Sequence, residues 1–161
     1  MWDKFGEFDS VEELNRAAAG QKEEGDEEAL IALAVENGLT KEDALDYMDG
    51  EVDELASSLM AAQGKIKIES AELKPKEIME DWVQYILIRI TEDPEMQKAV
   101  RRKGKSLEGC IAALLTWSFK HQIPVDQKIM TAAGVKAGRC TLGIPGMATA
   151  KKIITNYYMG K

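Results

Sequence analysis

Apolar residues recur at helical spacing along most of this chain, and turn residues separate the runs. The clearest run lies within residues 76–90, just after Pro75. Spacing of three or four positions puts side chains on one face of a helix, so this run predicts a helix that packs against a core. Pro75 suits the first position of that helix, where a missing N–H is harmless. The apolar positions are Ile78, Met79, Trp82, Val83, Ile86 and Ile90.

Capping residues predict where several other helices begin. Ser10, Asp26, Thr40 and Ser106 each stand directly before a run of helical character. Their side-chain oxygens can accept hydrogen bonds from first-turn amides. We therefore expect an all-α fold of about eight short to medium helices. The predicted helices are 11–19, 27–36, 41–48, 51–63, 76–90, 95–103, 107–120, 125–133 and 147–159.

Residues 64–74 break the helical pattern. Lys65, Ile66, Lys67 and Ile68 alternate polar with apolar, which suits a short strand or an extended segment. Because no second run of strand character exists to pair with it, we expect an extended connector. The resulting division is an acidic helical subdomain (1–63), a connector (64–74) and a basic helical domain (75–161).

Charge is distributed unequally between the two halves of the chain. The net charge of −7 combines a net of −14 for residues 1–73, with 20 acidic and 6 basic residues, and a net of +7 for residues 74–161, with 8 and 15. Such a dipole favours docking of one half on the other or recognition of a charged partner. The alternative is that the charged residues form solvated surfaces that only keep the protein soluble.

Five carboxylates cluster in one short stretch of the acidic half. They could form a surface that mimics phosphates and occupies a nucleic-acid-binding cleft on another protein. Acidic residues are also favoured near helix N-termini, so an ordinary solvated surface explains most of them equally well. The residues are Glu23, Glu24, Asp26, Glu27 and Glu28.

Five positive charges fall within the eight residues 98–105, a stretch we call the cationic elbow. Basic residues in the last turn of a helix complement its dipole, but this number exceeds what that requires. The elbow is therefore a candidate contact for a phosphate backbone or for a carboxylate-rich surface, including the acidic half of this chain. Its charged residues are Lys98, Arg101, Arg102, Lys103 and Lys105.

A second candidate anion site precedes the last predicted helix. The glycine-rich stretch 134–146 leads into that helix, and free amides at a helix start can hold a phosphate. If the basic half binds DNA, this site and the cationic elbow are expected to share one face. The candidate residues are Arg139, Gly143, Gly146, Lys151 and Lys152.

Residues that carry catalysis are scarce. His121 is the single histidine, and the sequence has no phosphate-binding loop, no zinc-protease motif and no nucleophile elbow. The two cysteines, Cys110 and Cys140, make neither a disulfide framework nor a zinc site, and we expect both to be reduced. We predict no enzymatic activity, no metal and no cofactor.

Targeting signals are also missing. The N-terminus lacks a basic stretch followed by an apolar one, and no segment reaches about 18 consecutive apolar residues. We therefore expect a cytoplasmic protein without a membrane-spanning segment. The sequence leaves the oligomeric state open.

Four blocks of the sequence stand out together: 2–9 (WDKFGEFD), 74–82 (KPKEIMEDW), 101–110 (RRKGKSLEGC) and 141–146 (TLGIPG) with 150–152 (AKK). They resemble the PcfK-like proteins of mobile elements in gut Firmicutes, a family that includes inhibitors of the RNA-guided nuclease of type II CRISPR systems. The resemblance implies a helical protein of plasmid, phage or conjugative origin, and it carries over no catalytic residues.

Three hypotheses follow from the charge pattern and the resemblance. The first is a non-enzymatic inhibitor that binds a CRISPR effector nuclease, its DNA or its guide RNA. The second is a DNA-binding accessory protein of conjugation or of plasmid and phage maintenance. The third is that the two halves of the chain only neutralise each other.

Overall fold

The computed structural model describes residues 1–160, which form nine helices and one two-stranded ribbon. The ribbon pairs β1 with β2 in antiparallel fashion, with Ile123 opposite Leu142. The helices are α1 Val11–Glu24, α2 Glu27–Glu36, α3 Lys41–Met48, α4 Ser58–Leu73, α5 Ile78–Glu92, α6 Pro94–Arg101, α7 Leu107–Lys120, α8 Gln127–Ala132 and α9 Met147–Met159. The strands are β1 Ile123–Pro124 and β2 Thr141–Leu142.

The predicted all-α class is confirmed, and so are the helix starts that rest on capping residues. The side chains of Ser10, Asp26 and Thr40 accept hydrogen bonds from the amides three residues further on. Ser106 does the same at the start of α7. These starts are predictable because a cap joins residues that are neighbours in the sequence.

The predicted connector at residues 64–74 is wrong, because α4 runs through it to Leu73. The alternation of Lys65, Ile66, Lys67 and Ile68 suggested an extended segment, yet both Lys65 and Ile66 are buried. The prediction assumed that the polar residues of this alternation face solvent, and the buried Lys65 does not. The two halves of the chain are therefore joined through a continuous helix, α4.

The start of α4 also differs from the prediction, because residues 51–57 are not helical. The side-chain amide of Asn15 donates to the Ala56 carbonyl at 2.9 Å and accepts from the Ala56 N–H at 3.0 Å. These two bonds replace helical bonds, and Ser57 then caps α4. The next helix, α5, begins at Ile78, three residues after Pro75.

Two hydrophobic cores meet at α4. Side chains of α1, α2, α3 and Ala61 form the first core. Side chains of α5, α6, α7 and α9 form the second together with Ala62 and Ile66 of α4. Neighbouring positions on α4 thus face different cores, and this helix joins the acidic half to the basic half.

Candidate partner-binding surfaces

The cationic elbow is only partly available to a partner. Lys98, Arg102 and Lys103 are exposed, and Lys98 lies 3.4 Å from the carboxylate of Glu95. Lys105 is half-buried, and its Nζ donates to the Tyr157 carbonyl at 2.7 Å. Its charge therefore stabilises the C-terminal end of α9, where unpaired carbonyls carry partial negative charge.

Arg101 was expected to contact a partner, but its side chain lies in the interior with 1% of its surface exposed. Its Nη2 donates to Asn37 Oδ1 at 2.8 Å, and the Trp2 ring lies over the guanidinium at 5.3 Å. Burial is the main cause that lowers its pKa, against the attraction of Glu7 and Glu69. Arg101 is a structural cation here, since α6 turns it towards α2 and α4.

A buried lysine holds the backbone of the elbow. Nζ of Lys65 donates to Glu7 Oε1 at 2.7 Å, to the Arg102 carbonyl at 2.8 Å and to the Lys105 carbonyl at 2.6 Å. These bonds use all three of its protons. Burial lowers the pKa of Lys65, and the hydrogen bond that Lys65 donates to Glu7 opposes this change. The bend at residues 102–105 is thereby fixed from inside the protein.

Glu69 lies one turn further along α4 and is also buried. Its Oε2 accepts a hydrogen bond from the Leu107 N–H at 3.0 Å, at the start of α7. Burial raises the pKa of Glu69 to about 7, although Lys65 and this hydrogen bond favour the charged form. Sequence reasoning missed Glu7, Asn37, Lys65 and Glu69, and the only available signal was the i, i+4 spacing of Lys65 and Glu69.

The elbow and the second candidate anion site do not share one face. At one end of α7, the Ser106 N–H donates to the hydroxyl of Tyr157, which is near the end of α9. At the other end of α7, Gly143 packs against Gln122 and the Ser118 carbonyl, just before α9 begins. The two helices are therefore antiparallel, and the two sites lie at opposite ends of α7, about 20 Å apart.

The second candidate anion site is a dispersed group of residues. Arg139, Lys151 and Lys152 are exposed, and Lys151 lies over the Tyr85 ring at 5.4 Å. Gly146 caps α9 with its backbone in the β region and without a side-chain hydrogen bond. A Cβ at Gly143 would meet Gln122, so that glycine is needed for close packing.

The predicted acidic surface is present at the turn between α1 and α2. Glu23, Glu24, Glu27 and Glu28 are exposed, and Asp26 caps α2 by accepting from the Ala29 N–H at 3.0 Å. Within residues 1–160, none of the ion pairs joins the acidic half to the basic half. The packing of α4 on both cores holds the halves together, and the carboxylates remain free for a partner.

An apolar groove runs along α7 and was not predicted. Its walls are Met79 and Trp82 of α5, Leu115 and Phe119 of α7, and Ile144, and they enclose about 330 Å³. Phe119 is 75% exposed, Leu115 54% and Ile144 60%. We call this cleft the α7 groove.

The α7 groove continues into a second cavity of about 230 Å³, which shares Met79 and Ile111 with the first. Lys74, Lys76 and Glu108 stand around this second part. From Glu108 to Phe119 the groove follows about three turns of α7, or roughly 17 Å. Met79 was predicted to face the core but is 38% exposed in this groove, because helical spacing does not distinguish a covered face from a bare one.

His, Cys, Asp and Glu side chains do not come together as a metal site in the part of the chain that the structure describes. No group of three or more His, Cys, Asp or Glu residues could hold a metal ion among residues 1–160. Burial raises the pKa of Cys110 to about 12, which keeps the thiol protonated. The His121 ring stacks on Trp117 with 4.2 Å between ring centroids.

No helix in residues 1–160 has the length and apolar character to cross a membrane.

The comparisons with known proteins add no relative of this chain. No family model, curated protein or solved structure matches it.

Proposed function

We propose that this protein is a non-enzymatic binding protein of a mobile genetic element that inhibits a type II CRISPR RNA-guided nuclease in the host cytoplasm. The observation that carries the proposal is the α7 groove. Leu115, Phe119 and Ile144 expose a contiguous apolar surface there, and patches of this kind mark interaction sites on soluble proteins. The resemblance of residues 74–82, 101–110, 141–146 and 150–152 to PcfK-like proteins suggests the class of partner.

The shape of the α7 groove favours a helical segment of the nuclease as the contact. The groove is apolar along about three helical turns, which is the length over which an amphipathic helix presents its anchor residues. Lys74 and Lys76 at one end and Lys120 beside Phe119 at the other suit acidic residues flanking those anchors. Binding in this mode needs no chemistry from this protein.

The experiment is a DNA cleavage assay with purified nuclease, guide RNA, target DNA and increasing amounts of this protein. We expect cleavage to fall as the protein approaches stoichiometric excess over the nuclease. Undiminished cleavage at large excess, with nucleases from several type II systems, would overturn the proposal.

Two sets of charge variants identify which further surface takes part. The first replaces Glu23, Glu24, Glu27 and Glu28 by Gln and keeps Asp26, because Asp26 caps α2. The second replaces Arg102 and Lys103 by Glu and leaves Arg101 unchanged, because Arg101 is buried. Lost inhibition in the first set assigns docking to the acidic turn, and lost inhibition in the second assigns it to the elbow.

One observation favours the alternative, an accessory protein that binds DNA directly. Residues 120–152 carry six basic residues against the single acidic residue Asp126. Contacts with three or four phosphates would give the affinity a log–log salt slope of about −3. Measuring duplex binding between low and moderate salt tests this function, and a flat response would remove it.

A further inference from the structure

Residues 123–142 form an arm that lies outside both hydrophobic cores. The arm contains β1, α8, the loop after α8 and β2. The Val125 N–H donates to the Cys140 carbonyl at 2.9 Å and extends the pairing of the two strands. Of the side chains in this stretch, Met130 alone is buried, and neither core of residues 1–160 includes any of them. The arm therefore presents most of its surface to solvent.

Apolar side chains stand unpartnered on this arm. Ile123 and Leu142 are opposite each other in the ribbon, so their side chains share one face, and each is 62% exposed. Ile129 of α8 is 60% exposed, and Val135 is 48% exposed. Exposed apolar surface of this kind marks a site of protein contact. The arm also carries three exposed cations that form no ion pair within residues 1–160, namely Lys128, Lys136 and Arg139.

The composition of the arm favours a protein partner over a nucleic acid. Surfaces that bind single strands combine cations with aromatic side chains on which bases stack, and residues 123–142 contain no aromatic residue. Contacts with a phosphate backbone are electrostatic and would leave Ile123, Ile129 and Leu142 uncovered. A partner that offers both carboxylates and apolar side chains fits the arm better.

This chain itself carries a surface with those properties, which we call the acidic end. Nζ of Lys22 in the last turn of α1 donates to the Tyr47 carbonyl in the last turn of α3 at 2.7 Å, so the two helix ends lie side by side. The exposed stretch 49–54 follows α3 directly, and within it Val52 is 43% exposed. The exposed carboxylates of the acidic end are Glu23, Glu24, Asp49, Glu51, Asp53 and Glu54.

The helix dipoles independently favour a cation at the acidic end. Glu23 and Glu24 lie in the last turn of α1, and Asp49 is the C-terminal cap of α3. Negative charge at these positions opposes the partial negative charge of the free helix carbonyls, whereas a cation stabilises such an end. Within residues 1–160, none of the carboxylates of the acidic end forms an ion pair. A positively charged partner would remove this repulsion.

We propose that the arm of one copy of this protein binds the acidic end of a second copy. The cations of the arm face the carboxylates of the acidic end, and the aliphatic side chains of the arm cover Val52. Each copy carries both surfaces, so copies associate head to tail, and two copies with reciprocal contacts close as a dimer. The unequal charge of the two halves is then neutralised between copies. This inference is independent of the proposed function, because it needs neither a nuclease nor the α7 groove.

Sedimentation velocity of the full chain tests the association. We expect the sedimentation coefficient to rise with protein concentration at low salt. It should fall towards the monomer value at about 1 M salt, where the Debye length is about 3 Å and the attraction between exposed charges is screened. A monomer value at every protein concentration and every salt concentration would overturn the proposal.

Charge reversal identifies the two surfaces. The arm variant combines Lys128→Glu, Lys136→Glu and Arg139→Glu. The end variant combines Glu23→Lys, Glu24→Lys, Glu51→Lys and Asp53→Lys. Each variant alone should self-associate at least about ten-fold more weakly, because like charges then face each other. A glutamate near the start of α8 and lysines at the end of α1 suit the helix dipoles, so both variants should remain folded.

Mixing the two variants shows whether these two surfaces contact each other. An equimolar mixture should associate again, because the unchanged acidic end of the arm variant meets the unchanged arm of the end variant. A mixture that stays monomeric, or single variants that associate as well as the unchanged protein, would overturn the proposal.

A control variant separates the acidic end from the effect of net charge. It changes the net charge as much as the end variant does, through exposed carboxylates elsewhere, and combines Glu72→Lys, Glu80→Lys, Asp81→Lys and Glu92→Lys. This control should associate at least as strongly as the unchanged protein, because a smaller net charge weakens the general repulsion between copies. Equal losses of association in the control and the end variant would overturn the proposal.

A short DNA duplex separates a second copy from a nucleic acid as the occupant of the arm. Self-association that persists in the presence of the duplex supports the proposal. A duplex that dissociates the copies, and that binds the unchanged protein but not the arm variant, would assign the arm to a nucleic-acid backbone and overturn it.

Discussion

Arg101 and Asn37 are separated by 64 positions in the sequence, yet Nη2 of Arg101 donates to Oδ1 of Asn37 at 2.8 Å. Asn37 is fully buried and also donates from Nδ2 to the Leu33 carbonyl at 2.9 Å. The side-chain amide of Asn37 therefore bonds both to the last turn of α2 and to Arg101, the last residue of α6. The contact links the acidic half of the chain to the basic half without an ion pair.

Asn37→Leu should lower the free energy of unfolding by about 2 to 4 kcal/mol, because it leaves the buried Arg101 guanidinium without its acceptor. Arg101→Met removes the buried charge itself while keeping much of the volume. The double variant should therefore be more stable than Asn37→Leu alone. Urea unfolding of the two single variants and the double variant measures the coupling, and strictly additive losses would contradict it.

Gly64 of α4 lies against the backbone of Asn37 and Gly38, where a Cβ would collide with the Asn37 carbonyl. Gly64→Ala should destabilise the protein by about 2 to 4 kcal/mol, although alanine is the better helix former. Gly20 of α1 is the matched control, because nothing lies within 4 Å of its Cβ position. Gly20→Ala should stabilise by about 0.5 to 1 kcal/mol, and thermal unfolding of both variants checks the opposite signs.

Substitution of an exposed residue in the α7 groove should weaken binding to the nuclease without destabilising the protein. Leu115→Ser should weaken binding to the nuclease at least ten-fold, since a central anchor of an interface usually contributes more than 1 kcal/mol. Because Leu115 is 54% exposed, the melting temperature should change by less than about 2 °C. Binding is measured by biolayer interferometry and stability by calorimetry.

Ile88 provides the control for this variant. It is 56% exposed and lies on α5 outside the α7 groove. Ile88→Ser therefore removes a similar apolar surface from another face, and it should leave nuclease binding intact. Equal losses of binding in Ile88→Ser and Leu115→Ser would show that the groove is not the contact.

The sequence was sufficient for features that depend on neighbours along the chain. Ser10, Thr40 and Ser106 act on amides three residues away, so their helices could be predicted from local pattern. The burial of Lys65 depends on Glu7 and on the carbonyls of Arg102 and Lys105, which are distant in sequence. No local pattern distinguishes such a lysine from a solvated one.

The same difference explains the outcome for the candidate sites. The acidic turn at Glu23 to Glu28 was predicted as exposed and is exposed, because a short turn between two helices has little to cover it. Arg101 was predicted on the surface because its neighbours are basic. In the structure it lies on the inward face of α6 and is buried. Met79 shows the reverse error, since its helical spacing predicted a core position and its side chain is 38% exposed.

Glu69 makes the stability of the protein depend on pH between about 4.5 and 7. Its ordinary pKa of 4.5 applies to the unfolded chain, and burial raises the folded value to about 7. The folded state therefore binds the proton more tightly than the unfolded chain does. The contribution of Glu69 to stability is fully present below about pH 4.5 and is lost as the pH rises through 7.

Glu69→Gln imitates the protonated side chain, and its amide oxygen can still accept the hydrogen bond from the Leu107 N–H. Relative to the unchanged protein, this variant should therefore gain stability steadily from pH 4.5 to 7.5, by about 3 kcal/mol or less. All other titrating groups are common to both proteins, so the difference between their urea unfolding curves isolates Glu69. A difference that stays constant from pH 4.5 to 7.5 would contradict the raised pKa, and it would mean that the charge of Lys65 and the hydrogen bond from Leu107 fully offset the burial of Glu69.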